Sequence, residues 1–524
     1  MKKEDKGFYA SRRELLKAAG GCSMMSGVSM LSTYLSLQAT NAVAADYNPT
    51  DYKAIVCLFL TGGNDSYNML TPYDGEGSGD VLNTPSVSGD YGGYYSIRGG
   101  VDDGTINAGG LALSKAQLTQ LTDPVTGRSH GLHPSMSHEA GVDPTDPSYN
   151  PSDHGVARLY NDNKLNFVCN IGSLLERTDM ASYDARTNLP LGLFSHADLV
   201  RHWQTGVPDS RTQLTGWGGR LADCMQQANT NPVISSNISI NGVNVFQTGG
   251  TVIPYSIGTS GATVVTNYHT DYATVNRNHQ DRIFSHMVES SLGRQYPGNL
   301  MSEALASQSM NAIQAAVDFN AAADAVNITT EFQNELLSNR MKMLAKVIGA
   351  SSTLGHRRQI FFVTEGGWDN HNNLMTQQPL NLADVSAAMK SFYDATVELG
   401  MENNVVTFTA SDFARTLTSN GQGSDHGWGG NQMVMGGAVD GGSMKGFSTT
   451  PSGPYPIFDP SQGGLSPLDT GRGRLIPTTS VDELAADLAM WFGVSNNEDL
   501  ELILPNIRRF YSSSETESPL GLFT

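Results

Sequence analysis

Residues 53–63 read KAIVCLFLTGG, and this stretch decides the fold class. An unbroken apolar run closed by two glycines is typical of a strand that is buried on both faces of a parallel sheet. Three later runs, 165–171, 359–364 and 404–409, have the same apolar character. Because segments with helical character separate the later runs, we predict an α/β fold with a doubly wound, mostly parallel sheet and loop-rich insertions.

Composition and capping signals predict the helices. Residues 299–348 are rich in Ala, Gln, Met, Leu and Glu, which favours a helix. A second helix is expected over about 382–399, with Asn381 as its cap. A third is expected behind the capping-box pattern of Ser480 and Glu483.

Two segments interrupt the alternation of strands and helices. Residues 74–130 are rich in Gly, Ser and Asp without a sustained period, which predicts a long insertion on the surface. Residues 231–270 carry short apolar stretches and an Asn241–Gly242 pair, a pattern typical of short strands and hairpins. We expect a single domain over residues 45–524, with insertions near 74–130 and 231–298.

The composition of the 524-residue chain excludes several classes of protein. Hydrophobic residues make up 39% and aromatic residues 8%, enough for a sizeable core, so the chain is not disordered throughout. With 32 Lys and Arg against 51 Asp and Glu, the net charge is -19, which argues against a nucleic-acid partner because affinity for a phosphate backbone needs a basic surface. Cys57 and Cys169 lie in apolar runs and are expected to be buried free thiols rather than parts of a disulfide framework.

The N-terminus has the pattern of an export signal. Residues 11–17 read SRRELLK, a mildly apolar segment continues to about residue 37, and residues 42–44 form a small-x-small cleavage site. This pattern predicts a twin-arginine signal peptide over residues 1–44, recognition by the twin-arginine translocase, and a periplasmic or secreted protein. The alternative is an ordinary basic N-terminal helix. Cys22 leaves lipidation open, although the residues before it make a poor lipobox, and no later segment is expected to span a membrane.

Polar side chains cluster where three of the predicted strands end. In chain order they are Asn64 and Asp65, then Asp369 and His371, then Asp412, followed closely by Asp425 and His426. Ligands in such folds bind at the carboxyl ends of the strands. Carboxylate and imidazole groups suit Zn, Mn or Fe, so these residues are candidate metal ligands.

Each motif alone also has a plainer explanation. The pair after the first strand fits an Asx turn, and Asp369 could simply orient His371 within a loop. Arg415 is a candidate anion clamp, with an ion pair to Asp412 as the alternative. An aspartate follows each of three predicted strands, and this coincidence favours a shared metal site over the separate explanations.

Ser195 and His196 precede a helix-compatible stretch at 197–202. Ser195 is then expected at a helix N-terminus, where the dipole and the free N–H groups favour an anion. We take Ser195, His196 and Arg415 as candidate catalytic residues. The alternative for Ser195 is structural, since Ser is a frequent N-cap.

Several short motifs together resemble a known family. They are CLFLTGGND at 57–65, GLHP at 131–134, SH at 195–196 with WQTG at 203–206, GWGGR at 216–220, GGWDNH at 366–371, SDFART at 411–416 and DHGWGG at 425–430. Over about residues 53–493 the chain resembles domain of unknown function 1501, a bacterial family exported by the twin-arginine route. That family is similar to the alkaline phosphatase and sulfatase superfamily, so the resemblance implies an alkaline phosphatase-like sheet with a two-metal site.

The resemblance also implies roles for particular residues and a cofactor of one or two divalent ions, Zn or Mn. One metal site would consist of Asp369, His371 and His426, and the other of Asp65 and Asp412. Ser195 would match the nucleophile that precedes a helix. The sequence departs from the pattern at Phe413, where active members usually place a His. Either one metal suffices, or Asp425 or Asn64 substitutes, or the site is degenerate.

Two functions of different classes follow. The first is an exported metal-dependent hydrolase of phosphate or sulfate esters, whose substrate is a small anionic ester and whose nucleophile is Ser195. The second is an exported binding or structural protein that keeps the fold without catalysis. A calcium-binding surface protein, suggested by the acidic loops at 102–103 and 143–153, is a third alternative, although EF-hand spacing is lacking.

Overall fold

The structure is a computed structural model that describes residues 49–74, 91–101, 105–231, 233–265, 267–269, 278–293, 299–448, 453–458, 466–496 and 499–523. The signal-peptide pattern, Cys22 and the acidic pair at 102–103 lie outside these residues, so the expectations placed on them stay predictions. Within the described ranges, no helix is both long enough and apolar enough to cross a bilayer.

One large sheet and one small sheet organise the described chain. The strands are β1 (Lys53–Leu60), β2 (Leu70–Pro72), β3 (Thr119–Thr122), β4 (Ser129–Leu132), β5 (Leu165–Gly172), β6 (Asn237–Ser239), β7 (Tyr255–Ser256), β8 (Arg358–Glu365), β9 (Val405–Ser411), β10 (Gly430–Gly436), β11 (Met444–Lys445) and β12 (Thr479–Ser480). The large sheet has the order β11-β5-β10-β9-β1-β8-β6-β7, with β12 also paired to β5. β2, β4 and β3 form the small antiparallel sheet.

β1 lies between β9 and β8 and runs parallel to both. β10 runs antiparallel to its neighbours β5 and β9, whereas the other ladders of the large sheet are parallel. The prediction of an α/β fold with a mostly parallel sheet is therefore confirmed. All four predicted apolar strands form, as β1, β5, β8 and β9.

Helices cover both faces of the large sheet. The helices of the described chain are Ser66–Met69, Tyr91–Ile97, Gly155–Asn161, Met180–Asp184, His196–Thr205, Trp217–Cys224, His279–Leu292, Leu300–Asp324, Leu336–Gly349, Leu374–Glu398, Val481–Phe492 and Asp499–Ile503. Leu58 of β1 packs in one apolar core with Leu344. Phe59 packs in a second core with Leu488. Successive residues of β1 face opposite cores, which explains its unbroken apolar run.

The helical character predicted for residues 299–348 is confirmed in two helices, Leu300–Asp324 and Leu336–Gly349, and is wrong for the break between them. The break includes Thr329, whose backbone N–H and hydroxyl donate to the Glu398 carboxylate at 2.7 and 2.8 Å. These polar groups are therefore satisfied without a helix. The local sequence could not show the contact between Thr329 and Glu398, because Glu398 lies on a later helix.

The helix expected over about 382–399 begins earlier and spans Leu374–Glu398. Asn381 lies inside this helix, so its assignment as the cap is wrong. Its side-chain nitrogen instead donates to the carbonyl oxygen of Gly367 at 2.8 Å, in the loop after β8. Asn373, which precedes the helix, has a left-handed backbone conformation with φ 57°, and Leu374 at the first helical position is fully buried.

Two local predictions are confirmed. In the capping box, the Ser480 hydroxyl accepts the N–H of Glu483 at 3.1 Å, and Glu483 Oε2 accepts the N–H of Ser480 at 2.8 Å. Cys57 and Cys169 are buried free thiols, as is Cys224. Burial raises the pKa of each thiol, so all three stay protonated at neutral pH.

Parts of the two expected insertions contribute to the core structure. The short strands predicted over 231–270 form as β6 and β7, but they pair in parallel and extend the large sheet, so the hairpin part of the prediction is wrong. Asn241 makes no hairpin turn, and its Oδ1 accepts the N–H of Thr364 in β8 at 3.1 Å. Within 105–130, β3 forms one edge of the small sheet and Leu121 is fully buried. Arg98 is also fully buried. The surface location predicted for residues 74–130 is therefore wrong for Leu121 and Arg98.

Candidate metal centre

The carboxyl ends of β9, β1 and β8 meet at one edge of the sheet and lead into Asp412, Asp65 and Asp369, respectively. The turn after β1 requires glycine, since Gly62 and Gly63 have φ values of 121° and 89°. A Cβ on Gly62 would lie 2.6 Å from the backbone nitrogen of Asp369. Glycine therefore lets the loops after β1 and β8 touch.

Three histidines surround the Asp369 carboxylate. The Nε2 atoms of His371 and His426 lie 3.2 and 3.4 Å from its Oδ1, and Nε2 of His196 lies 3.5 Å from its Oδ2. The Nε2 atoms of His371 and His426 are 2.9 Å apart. All four side chains are partly exposed, so the cluster opens to solvent.

Each of these histidines has its other ring nitrogen bonded to an oxygen acceptor. The pairs are Nδ1 of His196 with Oδ2 of Asp412 (2.7 Å), Nδ1 of His371 with Oδ1 of Asp425 (2.9 Å), and Nδ1 of His426 with the carbonyl oxygen of Phe194 (2.8 Å). Carboxylate and carbonyl oxygens accept hydrogen bonds, so each Nδ1 carries a proton. In the neutral imidazole, each Nε2 is then left with a free lone pair that is directed at the cluster.

This donor set fits a transition-metal ion such as Zn²⁺. Neutral imidazole and carboxylate are among its usual ligands, and a supporting carboxylate behind a ligating histidine is common at such sites. Ligands about 2.1 Å from a tetrahedral ion lie about 3.4 Å from one another. The distances between the Asp369 oxygens and the three imidazoles are close to that value. The potential ligand atoms of His196, Asp369 and His426 all lie within 4.8 Å of one another.

The surroundings favour the protonation states that metal binding needs. Burial lowers the pKa of His426, so its ring stays neutral at pH values where an exposed histidine is protonated. Burial acts to raise the pKa of Asp369, but the hydrogen bond and charge of Arg415 outweigh it and the pKa is lowered. At Asp425 burial is likewise outweighed by hydrogen bonds, led by that from Asn420, which lower its pKa to about 2. Both carboxylates are therefore ionised at neutral pH.

Arg415 pairs with Asp369 and not with Asp412. Its Nη1 donates to Oδ1 of Asp369, and its Nη2 donates to the carbonyl oxygen of Ser424. Its Nε donates to the Ser424 hydroxyl at 3.3 Å, and the guanidinium is fully buried. Arg415 thus holds the Asp369 carboxylate in place, which makes it a positioning residue.

Asp65 and Asn64 are buried and bonded to other groups. Oδ1 of Asp65 pairs with Nη2 of Arg98 at 2.5 Å, and its Oδ2 accepts the Ser424 hydroxyl at 3.2 Å. Oδ1 of Asn64 accepts Nε2 of Gln378 at 3.4 Å. Among the described residues, no second cluster of three potential ligands forms around Asp65. Arg98 was not anticipated, because it lies in the segment expected to be a surface insertion.

Asp412 and Asp425 support the histidines from behind. Both oxygens of Asp412 are engaged, Oδ2 by His196 and Oδ1 by the N–H of Gly62 at 2.9 Å. Oδ2 of Asp425 pairs with Nη1 of Arg472 at 2.6 Å. Asp412 is buried, whereas Asp425 is partly exposed. These contacts orient the imidazoles and leave the cluster itself to His196, His371, His426 and Asp369.

Ser195 stands at the N-cap of the helix His196–Thr205, although its side chain caps no backbone N–H group. Asp198, in the first turn of this helix, pairs with Arg211, whose Nε lies 2.6 Å from Oδ1 of Asp198. Both sequence neighbours of Ser195 touch the cluster, His196 through its ring and Phe194 through its carbonyl oxygen. Phe194 has a φ of 70°, a left-handed conformation that costs roughly 1–3 kcal/mol in a non-glycine residue.

Phe413 is buried beside the histidines. Its ring centroid lies 4.4 Å from that of His426 and 4.7 Å from that of His196. A Cβ on Gly63 would lie 2.4 Å from the Phe413 ring, so the glycine makes room for it. Phe413 therefore forms an apolar wall of the cluster and supplies no ligand atom.

The acidic loop at 143–153 does not assemble a comparable cluster. Asp143 accepts the N–H of Thr145 at 2.9 Å, and Asp146 accepts the N–H of Ser148 at 2.7 Å. Both aspartates thus form Asx turns. Across the part of the chain that the structure describes, the group of potential ligands whose atoms all lie within 4.8 Å of one another is His196, Asp369 and His426, and His371 joins it through its contacts with Asp369 and His426.

A family model identifies the family of the chain. The model described as protein of unknown function (DUF1501) matches residues 52–453, which is most of the chain, so the protein belongs to this family. The resemblance inferred from the motifs is confirmed at this level. A comparison with curated proteins finds no match.

Proposed function

We propose that this member of the DUF1501 family binds a divalent ion, Zn or Mn, through the Nε2 atoms of His196, His371 and His426 and the carboxylate of Asp369. The observation that carries the proposal is the convergence of three Nε2 atoms on one carboxylate while every Nδ1 is held by an acceptor. Such an arrangement leaves lone pairs facing one another, which a cation would stabilise.

The proposed centre holds one ion. The ligand set that the superfamily resemblance implies for a second ion includes Asp65, but that carboxylate is already paired with the buried Arg98. Phe413 adds no ligand on the other side. The negative charge of Asp65 is therefore neutralised by the Arg98 guanidinium. We expect one metal equivalent per chain.

We further propose that the protein hydrolyses phosphate or sulfate esters, as its resemblance to the alkaline phosphatase and sulfatase superfamily suggests. A bound ion would supply Lewis acidity to an oxygen of the ester. The backbone N–H groups at the start of the helix His196–Thr205 can donate to the anionic oxygens of the same ester. The half-exposed cluster gives a small substrate direct access.

Ser195 is the proposed nucleophile. It lies between two residues that touch the cluster, and its hydroxyl is not used to cap the helix. Asp198 in the first turn of the same helix stays ionised at neutral pH, because the hydrogen bond from Arg211 holds the pKa of Asp198 below its usual value. A cation held by the neighbouring histidines and Asp369 would lower the cost of forming the Ser195 alkoxide.

The test begins with the full chain purified without a chelator. Metal content is measured first, and hydrolysis of p-nitrophenyl phosphate and p-nitrophenyl sulfate second. Ser195→Ala should abolish hydrolysis and leave metal content and fold intact, whereas the exposed Ser512→Ala serves as the matched control. An unchanged rate in Ser195→Ala would refute the assignment of the nucleophile.

A second candidate function is a metal-binding protein without catalysis. Phe413 and the Arg98–Asp65 pair favour it, since both remove ligands that the superfamily resemblance implies. Wild-type protein that carries one equivalent of metal but cleaves no phosphate or sulfate ester would support this candidate over the hydrolase.

We also propose export by the twin-arginine translocase, on the basis of residues 11–17 and 42–44. The translocase reads the paired guanidinium groups of Arg12 and Arg13. Changing both to Lys should therefore retain the precursor in the cytoplasm. Unchanged appearance in the periplasm of a protein that starts near Ala45 would refute this proposal.

A further inference from the structure

A cavity of about 730 Å³ lies beside the candidate metal centre. Its lining includes Tyr183, Arg186, Asn188, Phe194, Asp209 and Arg509. Leu189 and Leu193 line it as well and pack on a small apolar cluster around Trp428. The cavity therefore has an apolar base and a polar rim whose charged residues are exposed to solvent.

Phe194 joins this cavity to the metal centre. Its side chain lines the cavity, while its carbonyl oxygen accepts the Nδ1 proton of His426 at 2.8 Å. Arg474 lies 4.8 Å from the Phe194 ring and donates through Nε to the carbonyl oxygen of His426 at 2.9 Å. A molecule in the cavity would thus contact the residue that precedes Ser195.

Three residues of the lining have left-handed backbone conformations. Arg186, Asn188 and Phe194 have φ values of 54°, 50° and 70°. Such conformations are unfavourable for residues other than glycine and tend to occur at functional sites. They place the three side chains around the same cavity, which an ordinary surface loop does not require.

The charges of the lining cancel. Arg186 and Arg509 contribute two guanidinium groups, and Asp184 and Asp209 contribute two carboxylates. A free anion gains little from such a surface, because each cation has an acidic residue in the same lining. Hydroxyl groups both donate and accept hydrogen bonds, so a ligand with several hydroxyls can use the donors and the acceptors together.

Two aromatic side chains, Tyr183 and Phe194, also line the cavity. An aromatic face packs well against the apolar C–H face of a saturated ring. The guanidinium and carboxylate groups around the rim suit neighbouring hydroxyls, and Asn188 adds its amide oxygen, since its amide nitrogen donates to Oε1 of Glu176 at 2.6 Å. The combination of two partly buried aromatic side chains with balanced planar polar groups is matched by a polyhydroxylated ring.

We infer that this cavity binds a sugar ring, which would be the alcohol part of the ester cleaved at the neighbouring centre. The assignment of the sugar as part of a substrate rests on the proposed function, whereas its binding does not. Binding can therefore be measured on protein that has been stripped of metal, independently of hydrolysis.

The experiment is isothermal titration of the metal-stripped full chain with the methyl glycosides of glucose, galactose, mannose and N-acetylglucosamine. At least one glycoside should bind saturably, and Tyr183→Ala and Phe194→Ala should each weaken it at least tenfold. Phe284→Ala removes an exposed aromatic ring from the helix His279–Leu292 and should leave binding unchanged. Inorganic sulfate and cyclohexanol serve as the anionic and the apolar comparison ligands.

Failure of saturable binding by every glycoside would overturn the inference, as would equal binding in the Tyr183→Ala and Phe194→Ala variants. Saturable binding of sulfate or cyclohexanol in place of the glycosides would overturn it too, because the cavity would then select charge or an apolar surface. Ester hydrolysis without glycoside binding would refute this inference alone. Glycoside binding by a protein that takes up no metal would instead refute the proposed function.

Discussion

The Nε2 atoms of His371 and His426 lie 2.9 Å apart, and the Nδ1 atom of each ring donates to its own oxygen acceptor. With both Nδ1 positions protonated, two neutral rings would direct lone pairs at each other. A cation between or beside them removes this repulsion. Asp369 lies within 3.4 Å of both Nε2 atoms and adds a negative charge that favours the same cation.

His371→Ala and His426→Ala are each expected to lose bound metal. They should also lower the melting temperature of the metal-loaded protein, because binding to the native state adds to its stability. Metal per chain and thermal unfolding are measured on the same preparations, with the exposed His279→Ala as the control. Full metal content in both cluster variants would contradict the proposed ligands.

Asp425→Asn is expected to weaken metal binding less than loss of a ligand does. Asp425 contacts Nδ1 of His371 and is not itself in the cluster, and such supporting residues typically change metal affinity by roughly 10–100-fold. Competition with a chelator of known affinity measures the effect. Asp146→Asn, in an exposed Asx turn, should have the affinity of the wild type. Complete loss of metal in Asp425→Asn would make Asp425 a ligand.

Arg98→Met is expected to destabilise the protein by about 3–5 kcal/mol, because it leaves the buried Asp65 carboxylate without its charge partner. Urea unfolding measures the free energy. Arg158→Met is the matched control, since the exposed Arg158–Asp162 pair should contribute no more than about 0.5 kcal/mol. Adding Asp65→Asn to Arg98→Met should restore part of the loss. Equal stability of the two arginine variants would contradict the role of Arg98.

Asp482 should make the protein less stable as the pH rises. Burial, followed by the nearby charge of Glu483, raises the pKa of Asp482 to about 8 in the folded state from an ordinary value near 4. Its contribution to stability is therefore fully present below about pH 4 and is lost as the pH rises towards 8, by at most about 1.4 kcal/mol per pH unit. Asp482→Asn cannot ionise, so its stability relative to the wild type should increase over this range. Parallel pH profiles of melting temperature would contradict the assignment.

Much of the fold could be predicted from local patterns. The apolar runs that form β1, β5, β8 and β9 were recognisable because strands covered on both faces need no polar alternation. The break between Leu300–Asp324 and Leu336–Gly349 was not recognisable. It depends on hydrogen bonds to Glu398, a residue whose proximity follows from packing.

The sequence by itself determined that aspartates follow β1, β8 and β9 and that these strand ends carry the polar groups, because apolar periodicity and turn glycines are local properties. Tertiary structure alone decided what each aspartate does. Asp65 pairs with Arg98, Asp412 holds His196, and Asp369 lies among the three histidines. The reason is physical: buried charges take whichever partners the packed chain brings within hydrogen-bonding distance, and sequence spacing does not encode those long-range contacts.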